Sequence, residues 1–132
     1  MGLQPVIIAA DEDKDIRFLI KVYLRDYKLE VCEARSGGEL IEAAGKREPA
    51  AAVINYVLGD MTGYRAAEEI HKSYSGLPVI IMTLEGFDLY EDRPGVNEYL
   101  VKPFSRAQFR EARSKDRQLR SICNSFVRVP HW

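Results

Sequence analysis

The sequence is poor in cysteine, which stabilises small secreted domains through disulfide bonds, and it lacks the long apolar run of a membrane segment. It contains two cysteines, Cys32 and Cys123, far apart and without metal-type spacing, whereas a secreted domain of this size usually carries several cysteine pairs. No stretch reaches the ~18 apolar residues that a membrane span requires, and residues 1–10 lack the basic start of a signal peptide. We therefore expect one reduced, cytoplasmic domain without membrane contact.

Glycine and proline are also scarce, at 9 and 6 of the 132 residues, which excludes fibrous and low-complexity chains. With 46% hydrophobic and 30% charged residues, the composition is that of a compact globular domain. The net charge of −1 provides no overall attraction to nucleic acid. It conceals a split, since residues 1–101 hold 11 basic and 18 acidic residues and residues 102–132 hold 8 and 2. The last 31 residues are thus strongly basic.

Short apolar runs alternate with helical patterns along the chain. Val6–Ala10 is a continuous apolar run, typical of a strand buried on both faces, and from Asp13 to Tyr27 apolar residues recur at helical spacing. Further strands are predicted at Leu29–Ala34, Ala51–Tyr56, Val79–Thr83 and Glu98–Val101, and further helices at Ser36–Arg47, Tyr64–Tyr74 and from Ser105. Such alternation predicts a doubly wound α/β domain with a five-stranded parallel sheet.

Polar residues follow four of the predicted strands. In doubly wound sheets, ligands bind at the carboxyl ends of the strands. Two carboxylates and an amide at that edge suit Mg²⁺, and a hydroxyl with an ammonium suits phosphoryl oxygens. Taken singly, each of these residues is also an ordinary strand or helix end. The residues are Asp11, Glu12, Asn55, Thr83 and Lys102.

Four ordered segments carry a resemblance to the receiver domain of two-component response regulators. They are Val6–Arg17, Asn55 with Gly63 eight positions later, Pro78–Thr83 and Gly95–Phe104. The resemblance covers about residues 4–113. It implies a flavodoxin-like sheet of strand order 2-1-3-4-5 and a non-enzymatic role in bacterial, cytoplasmic phosphorelay signal transduction.

The resemblance also implies roles for single residues. A receiver binds Mg²⁺, accepts a phosphoryl group on an aspartate and reports its state through an aromatic switch residue. The implied metal ligands are Asp11, Glu12, Asn55 and the backbone oxygen of Val57; the phosphoryl contacts are Thr83 and Lys102; the switch position is Tyr99.

The departure from the family lies at Asn55, which stands where receivers carry the phosphoacceptor aspartate. An amide oxygen lacks the nucleophilicity of a carboxylate, so we expect no phosphorylation and only weak Mg²⁺ binding. Asp60 is a candidate substitute, but its position beside Gly59 favours a simple turn residue. Asp13 is expected to begin the first helix.

The second half of the chain yields four further expectations. Gly86 and Pro94 predict a short or irregular fourth helix over residues 84–94. The receiver-like domain is expected to span residues 4–120, followed by a tail, residues 121–132, that ends in Trp132. In the final helix, Phe109 and Ala112 should face the sheet. The basic side chains expected to face solvent are Arg106, Arg110, Arg113, Lys115, Arg117 and Arg120.

The expected partner is a signalling protein, favoured to be acidic. It would bind the C-terminal helix and the face formed by the fourth helix, fifth strand and fifth helix. Nucleic acid is not expected, because no recognised DNA-binding motif accompanies the basic residues. A second copy of this chain, forming a homodimer, is an alternative partner.

Three hypotheses follow. The leading one is a stand-alone pseudo-receiver that acts through protein interaction without phosphorylation. The second is an ordinary phosphoacceptor receiver inactivated by an Asp to Asn substitution at position 55. The third is a flavin-binding flavodoxin-like domain, which the acidic end of the first strand disfavours.

Overall fold

A computed structural model describes residues 4–84, 95–102 and 104–115. The elements, in chain order, are β1 (Val6–Ala10), α1 (Lys14–Leu24), β2 (Glu30–Ala34), α2 (Gly37–Lys46), β3 (Ala51–Asn55), α3 (Gly63–His71), β4 (Val79–Leu84), β5 (Glu98–Lys102) and α4 (Arg106–Lys115). The final helix of the sequence prediction is therefore α4. Of the predicted helix at residues 84–94, only Leu84 is described, and it ends β4. Residues 85–94, the tail, the side chain of Ala112 and most of the C-terminal cations lie outside the described residues or side chains.

All five strands lie in one parallel sheet of order β2-β1-β3-β4-β5, as predicted. Every residue of β1 and β3 is buried, and so is every residue of β4 before Leu84. The outer strands β2 and β5 are partly exposed. Continuous apolar runs therefore form the centre of the sheet, as expected for strands covered on both faces.

Helices cover both faces of the sheet. On one face, α2 and α3 pack Leu40 and Ile70 against Ile8 of β1. On the other face, α1 and α4 pack Ile20 and Phe109 against the sheet, which confirms the predicted inward position of Phe109. Within the described residues, no helix has the length and apolarity needed to cross a membrane.

Two helices end earlier than predicted. Helix α1 ends at Leu24, not Tyr27, because the chain turns there and the Tyr27 N–H donates to the Leu24 carbonyl at 3.0 Å. Helix α3 ends at His71, not Tyr74, and the Tyr74 hydroxyl donates to the Ala44 carbonyl at 2.8 Å. Both tyrosines pack on the core from outside the helix, so the apolar pattern extended past the helical backbone.

Two predicted helix starts, at Ser36 and Ser105, are confirmed. The Ser36 hydroxyl accepts from the Glu39 N–H at 3.1 Å and caps α2. At α4, the Ser105 hydroxyl accepts from the Gln108 N–H at 3.1 Å, and the Gln108 side chain accepts from the Ser105 N–H at 2.8 Å. This reciprocal pair is a capping box, which satisfies backbone donors that a helix start leaves free.

The expectation that Arg106 faces solvent is correct only in part, because its side chain is 35% exposed. Its guanidinium pairs with Asp26, which is only 3% exposed, just beyond α1. Nearby, Tyr23 of α1 contacts the rings of Phe104 and Phe109. Arg106 is held inward because this buried carboxylate needs a cation, a requirement that becomes visible only when α1 and α4 are neighbours.

Candidate functional site

Polar side chains meet at the carboxyl edge of the central strands, as the sequence predicts. Asp11 follows β1, Asn55 ends β3, and Thr83 and Lys102 stand at the ends of β4 and β5. Asp11, Asn55 and Thr83 are 2%, 8% and 2% exposed. The Lys102 ammonium lies 2.5 Å from Asp11 Oδ2. We call these four residues the polar rim.

Asp11 is held from several directions. Its Oδ1 accepts from the Asp13 N–H at 2.9 Å, and its Oδ2 accepts from Lys102. Asp13 in turn caps α1, because its own Oδ1 accepts from the Asp15 N–H at 2.8 Å. Asp13 therefore begins the helix as predicted and does not join the rim.

The sequence reasoning missed Arg17, a buried residue of α1. Its Nη1 donates to the backbone carbonyls of Asp11, at 2.6 Å, and Glu12, at 3.2 Å, while its Nε donates to Glu33 at 2.9 Å. The hydrogen bond from Arg17 lowers the pKa of Glu33 below its ordinary value. Arg17 thus ties the backbone of Asp11 and Glu12 to Glu33 of β2.

Glu12 is exposed and extends over the loop that follows β3. A Cβ added to Gly59 would lie 2.4 Å from Glu12 Oε1, and Gly59 has a positive φ of 80°. Only glycine adopts that backbone conformation readily and leaves room for the carboxylate. Glu12 therefore lies at the border of the polar rim rather than among its buried members.

Asn55 is turned toward its own loop. Its Nδ2 donates to the Val57 carbonyl at 2.8 Å, and its buried Oδ1 has no hydrogen-bond partner among the described residues. A Cβ on Gly63 would lie 2.1 Å from the Asn55 carbonyl oxygen. This close approach of α3 to the end of β3 explains why glycine stands eight residues after Asn55.

The carboxylate of Asp60 lies against the N-terminus of α2. Its Oδ1 and Oδ2 accept from the Gly37 and Gly38 N–H groups, each at 2.9 Å. These two hydrogen bonds, the Gly37 bond first, lower the pKa of Asp60 below its ordinary value. Asp60 therefore clamps the loop after β3 to α2, a role that sequence reasoning, which treated it as a turn residue, did not find.

The predicted metal ligands fit Mg²⁺ in kind, since all are oxygen donors. The unpartnered Asn55 Oδ1 is a buried oxygen that a cation would satisfy. Two of the other predicted ligand oxygens already accept hydrogen bonds. Asp11 Oδ2 accepts from Lys102, and the Val57 carbonyl accepts from the Asn55 amide. Among the residues with described side chains, no three His, Cys, Asp or Glu side chains converge on a metal position.

Tyr99, the predicted switch residue, is half-buried in β5 and packs against the core that α2 and α3 share with the sheet. Thr83 lies in the neighbouring strand, paired in register with Val101. Leu84, the residue after Thr83, is 42% exposed. The structure thus places Thr83 on β4, beside β5, which carries both Tyr99 and Lys102.

A five-stranded parallel sheet of order 2-1-3-4-5, with polar residues at its carboxyl edge, defines the flavodoxin-like class of doubly wound domains. The model of the response regulator receiver domain matches residues 7–113. The chain belongs to this family.

Similarity to curated proteins supports the assignment to this family. The chain is 32% identical over 108 residues to the transcriptional regulatory protein SrrA of Staphylococcus aureus, a match covering 76% of this chain and 42% of that protein. The chain thus spans less than half the length of the curated relatives it matches.

Solved structures share the fold. The chemotaxis response regulator CheY4 of Vibrio cholerae superposes with a TM-score of 0.74 at 20% identity, covering 91% of this chain and 99% of that one. A response regulator receiver domain protein from Clostridium thermocellum gives 0.74 at 23% identity, covering 92% and 95%. At these identities the likeness concerns the fold alone.

Proposed function

We propose that this chain is a receiver module of two-component signal transduction that acts without phosphorylation, through binding to another protein. The observation that carries the proposal is Asn55, buried at the end of β3, where the family places its phosphoacceptor aspartate. Phosphoryl transfer to a carboxylate needs an anionic oxygen as nucleophile. The amide of Asn55 is neutral, and its nitrogen is engaged with the Val57 carbonyl.

The surrounding residues retain the parts of a receiver without its acceptor. In our proposal Thr83 and Lys102 are the former phosphoryl contacts, and Tyr99 is a switch residue held in one position. Asp11, Glu12, Asn55 and the Val57 carbonyl are a weak Mg²⁺ site. When bound, Mg²⁺ would supply positive charge against phosphoryl oxygens.

No other carboxylate takes over the acceptor role in this proposal. Asp60 is the nearest candidate in the loop after β3, and both of its oxygens are held by the start of α2. Asp13 is the cap of α1. A flavin-binding function gains no support, because Asp11 and Glu12 would repel a flavin phosphate at the end of β1.

We further propose a partner protein with an acidic surface, bound by the C-terminal helix and by the face that includes β5. The support is the charge of residues 102–132, which hold 8 basic and 2 acidic residues. Lys102 and Arg106 already pair with Asp11 and Asp26, so the proposal depends on the other six basic residues. Such binding is expected to weaken as salt rises.

Incubation with acetyl phosphate and Mg²⁺, followed by intact mass measurement, tests the central proposal. The unsubstituted chain should show no phosphoryl adduct, whereas Asn55→Asp should show one. Asn97→Asp is a matched control with the same chemical change away from the polar rim, and it should show none. An adduct on the unsubstituted chain contradicts the proposed function and favours an ordinary phosphoacceptor.

A further inference from the structure

We propose that a cavity at the amino edge of the sheet binds a small zwitterion with an apolar body, the chemistry of an apolar amino acid. The cavity has a volume of about 810 Å³ and lies where β1, β2 and β3 begin, at the opposite edge from the polar rim. This volume falls within the range of about 300 to 1,000 Å³ that is usual for small-molecule sites.

The floor of the cavity is apolar and is held in place by backbone hydrogen bonds. It is lined by Pro5, Val6, Pro49 and Ala50, of which Val6 and Pro49 are buried. The Glu30 N–H donates to the Pro5 carbonyl at 2.9 Å, and the Ala50 N–H donates to the Val6 carbonyl at 2.8 Å. These bonds join the starts of three strands, so the floor exists before a ligand arrives. An apolar side chain lying on it would be removed from water.

The wall of the cavity carries charges of both signs. The cations are Lys46, the last residue of α2, and Arg47, which follows it. The carboxylates are Glu30, at the start of β2, and Glu48. Because the four charges sum to zero, a ligand with a single charge gains no net Coulomb attraction from the wall. A ligand that carries one charge of each sign can pair with both kinds of group.

Two of these four charges are already committed to each other. Arg47 donates to both carboxylate oxygens of Glu30, from Nη1 at 2.8 Å and from Nη2. The hydrogen bond between them lowers the pKa of Glu30 and raises the pKa of Arg47, so the pair stays charged. It ties the end of α2 to the start of β2 and closes one side of the cavity.

The other two charges are available to a ligand. Lys46 is 71% exposed and pairs with Glu42 at 3.0 Å on the surface, an interaction that is cheap to exchange. Glu48 is exposed at the same end of α2. In this proposal the Lys46 ammonium donates to the carboxylate of the ligand, and Glu48 accepts from its ammonium. The apolar body of the ligand lies on the floor between them.

The test is an amide ¹H–¹⁵N NMR titration of the unsubstituted chain with three probes that share a phenyl ring. L-Phenylalanine carries both charges, 3-phenylpropionate lacks the ammonium, and phenethylamine lacks the carboxylate. We expect L-phenylalanine to shift the amides of Val6, Glu30 and Ala50. Each of the other two probes should bind at least about tenfold more weakly, because it loses one charge-assisted hydrogen bond.

Substitutions of exposed residues assign the two charged contacts. Glu48→Gln should weaken L-phenylalanine about tenfold and leave 3-phenylpropionate unchanged, because that probe has no ammonium. Lys46→Met should weaken L-phenylalanine similarly and leave phenethylamine unchanged. Glu68→Gln is the matched control, because Glu68 is exposed on α3 and does not line the cavity. It should bind L-phenylalanine like the unsubstituted chain.

Three results would overturn the proposal. They are fixed amide resonances on addition of L-phenylalanine, equal affinity for the three probes, and equal losses in Glu48→Gln and Glu68→Gln. The inference goes beyond the proposed function, because no residue of the cavity belongs to the polar rim. The titration contains neither Mg²⁺ nor a phosphoryl donor, so its failure leaves the acetyl phosphate result unaffected, and the reverse also holds.

Discussion

Replacing Arg17 by methionine should destabilise the domain more than any exposed charge substitution. Methionine keeps an apolar stem but removes every donor of a side chain that is 9% exposed. The Asp11 carbonyl then loses a 2.6 Å hydrogen bond, and the Glu12 carbonyl loses one of 3.2 Å. Glu33 loses its closest cation, at 2.9 Å.

The magnitude follows from the burial of these acceptors. A buried acceptor left without a donor costs about 1 to 3 kcal/mol. The Asp11 carbonyl is buried, while the Glu12 carbonyl and Glu33 are partly solvated and cost less. We therefore expect Arg17→Met to lose roughly 2 to 4 kcal/mol of unfolding free energy. With a urea dependence of about 1.5 kcal/mol per molar, the midpoint falls by about 2 M.

Equilibrium urea unfolding followed by circular dichroism measures this loss. The control is Arg65→Met, because Arg65 is 65% exposed and its pair with Glu69 is worth about 0 to 1 kcal/mol. Arg17→Lys retains the charge without the planar fork and should fall between the two. If Arg17→Met loses no more than Arg65→Met, Arg17 does not hold the rim backbone.

Two further predictions concern the loop after β3 and the helices beside it. Gly63→Ala should lose about 3 kcal/mol in urea unfolding, because its Cβ would lie 2.1 Å from the Asn55 carbonyl. The control is Gly45→Ala, whose Cβ would have no heavy atom within 4 Å and which should gain about 0.5 to 1 kcal/mol of unfolding free energy. Equal changes in unfolding free energy for the two variants would contradict the close approach at Gly63. Asp60 has a lowered pKa, so its bonds to α2 contribute stability above pH 3.8, lost as pH falls through the folded pKa. The protection factor of the Gly37 amide against hydrogen exchange should fall there, and Asp60→Asn should remove that pH dependence; an unchanged dependence refutes the clamp.

The sequence was sufficient for the order and type of the described elements because burial dictates their patterns. A strand covered on both faces must be apolar along its buried length, and Val6–Ala10 is apolar throughout, as is β3 up to the polar Asn55 at its end. The caps at Ser36 and Ser105 were equally predictable, since they involve residues only three apart. The ends predicted for α1 and α3 were too late, because apolar spacing reports which residues pack on the core. It does not report where the helical backbone stops.

The residues of the polar rim could be predicted from the sequence, but most of their contacts could not. The ends of parallel strands must meet at one edge, so Asp11 and Lys102 come together although 91 residues separate them. The roles of Arg17, Asp60 and Arg106 were not predictable, because the fold brings their partners near. Asp60 accepts from backbone N–H groups of α2, and Arg17 donates to backbone carbonyls and to Glu33. Arg106 pairs with Asp26, which lies 80 residues away in the sequence.

The most direct test of the account is whether a phosphoryl donor changes the conformation of the unsubstituted chain. Amide ¹H–¹⁵N NMR spectra are recorded with and without acetyl phosphate at constant Mg²⁺, for this chain and for Asn55→Asp. We expect the resonances of Thr83, Tyr99 and Lys102 to move in Asn55→Asp and to stay fixed in the unsubstituted chain. Movement of these resonances in the unsubstituted chain would contradict a receiver that acts without phosphorylation.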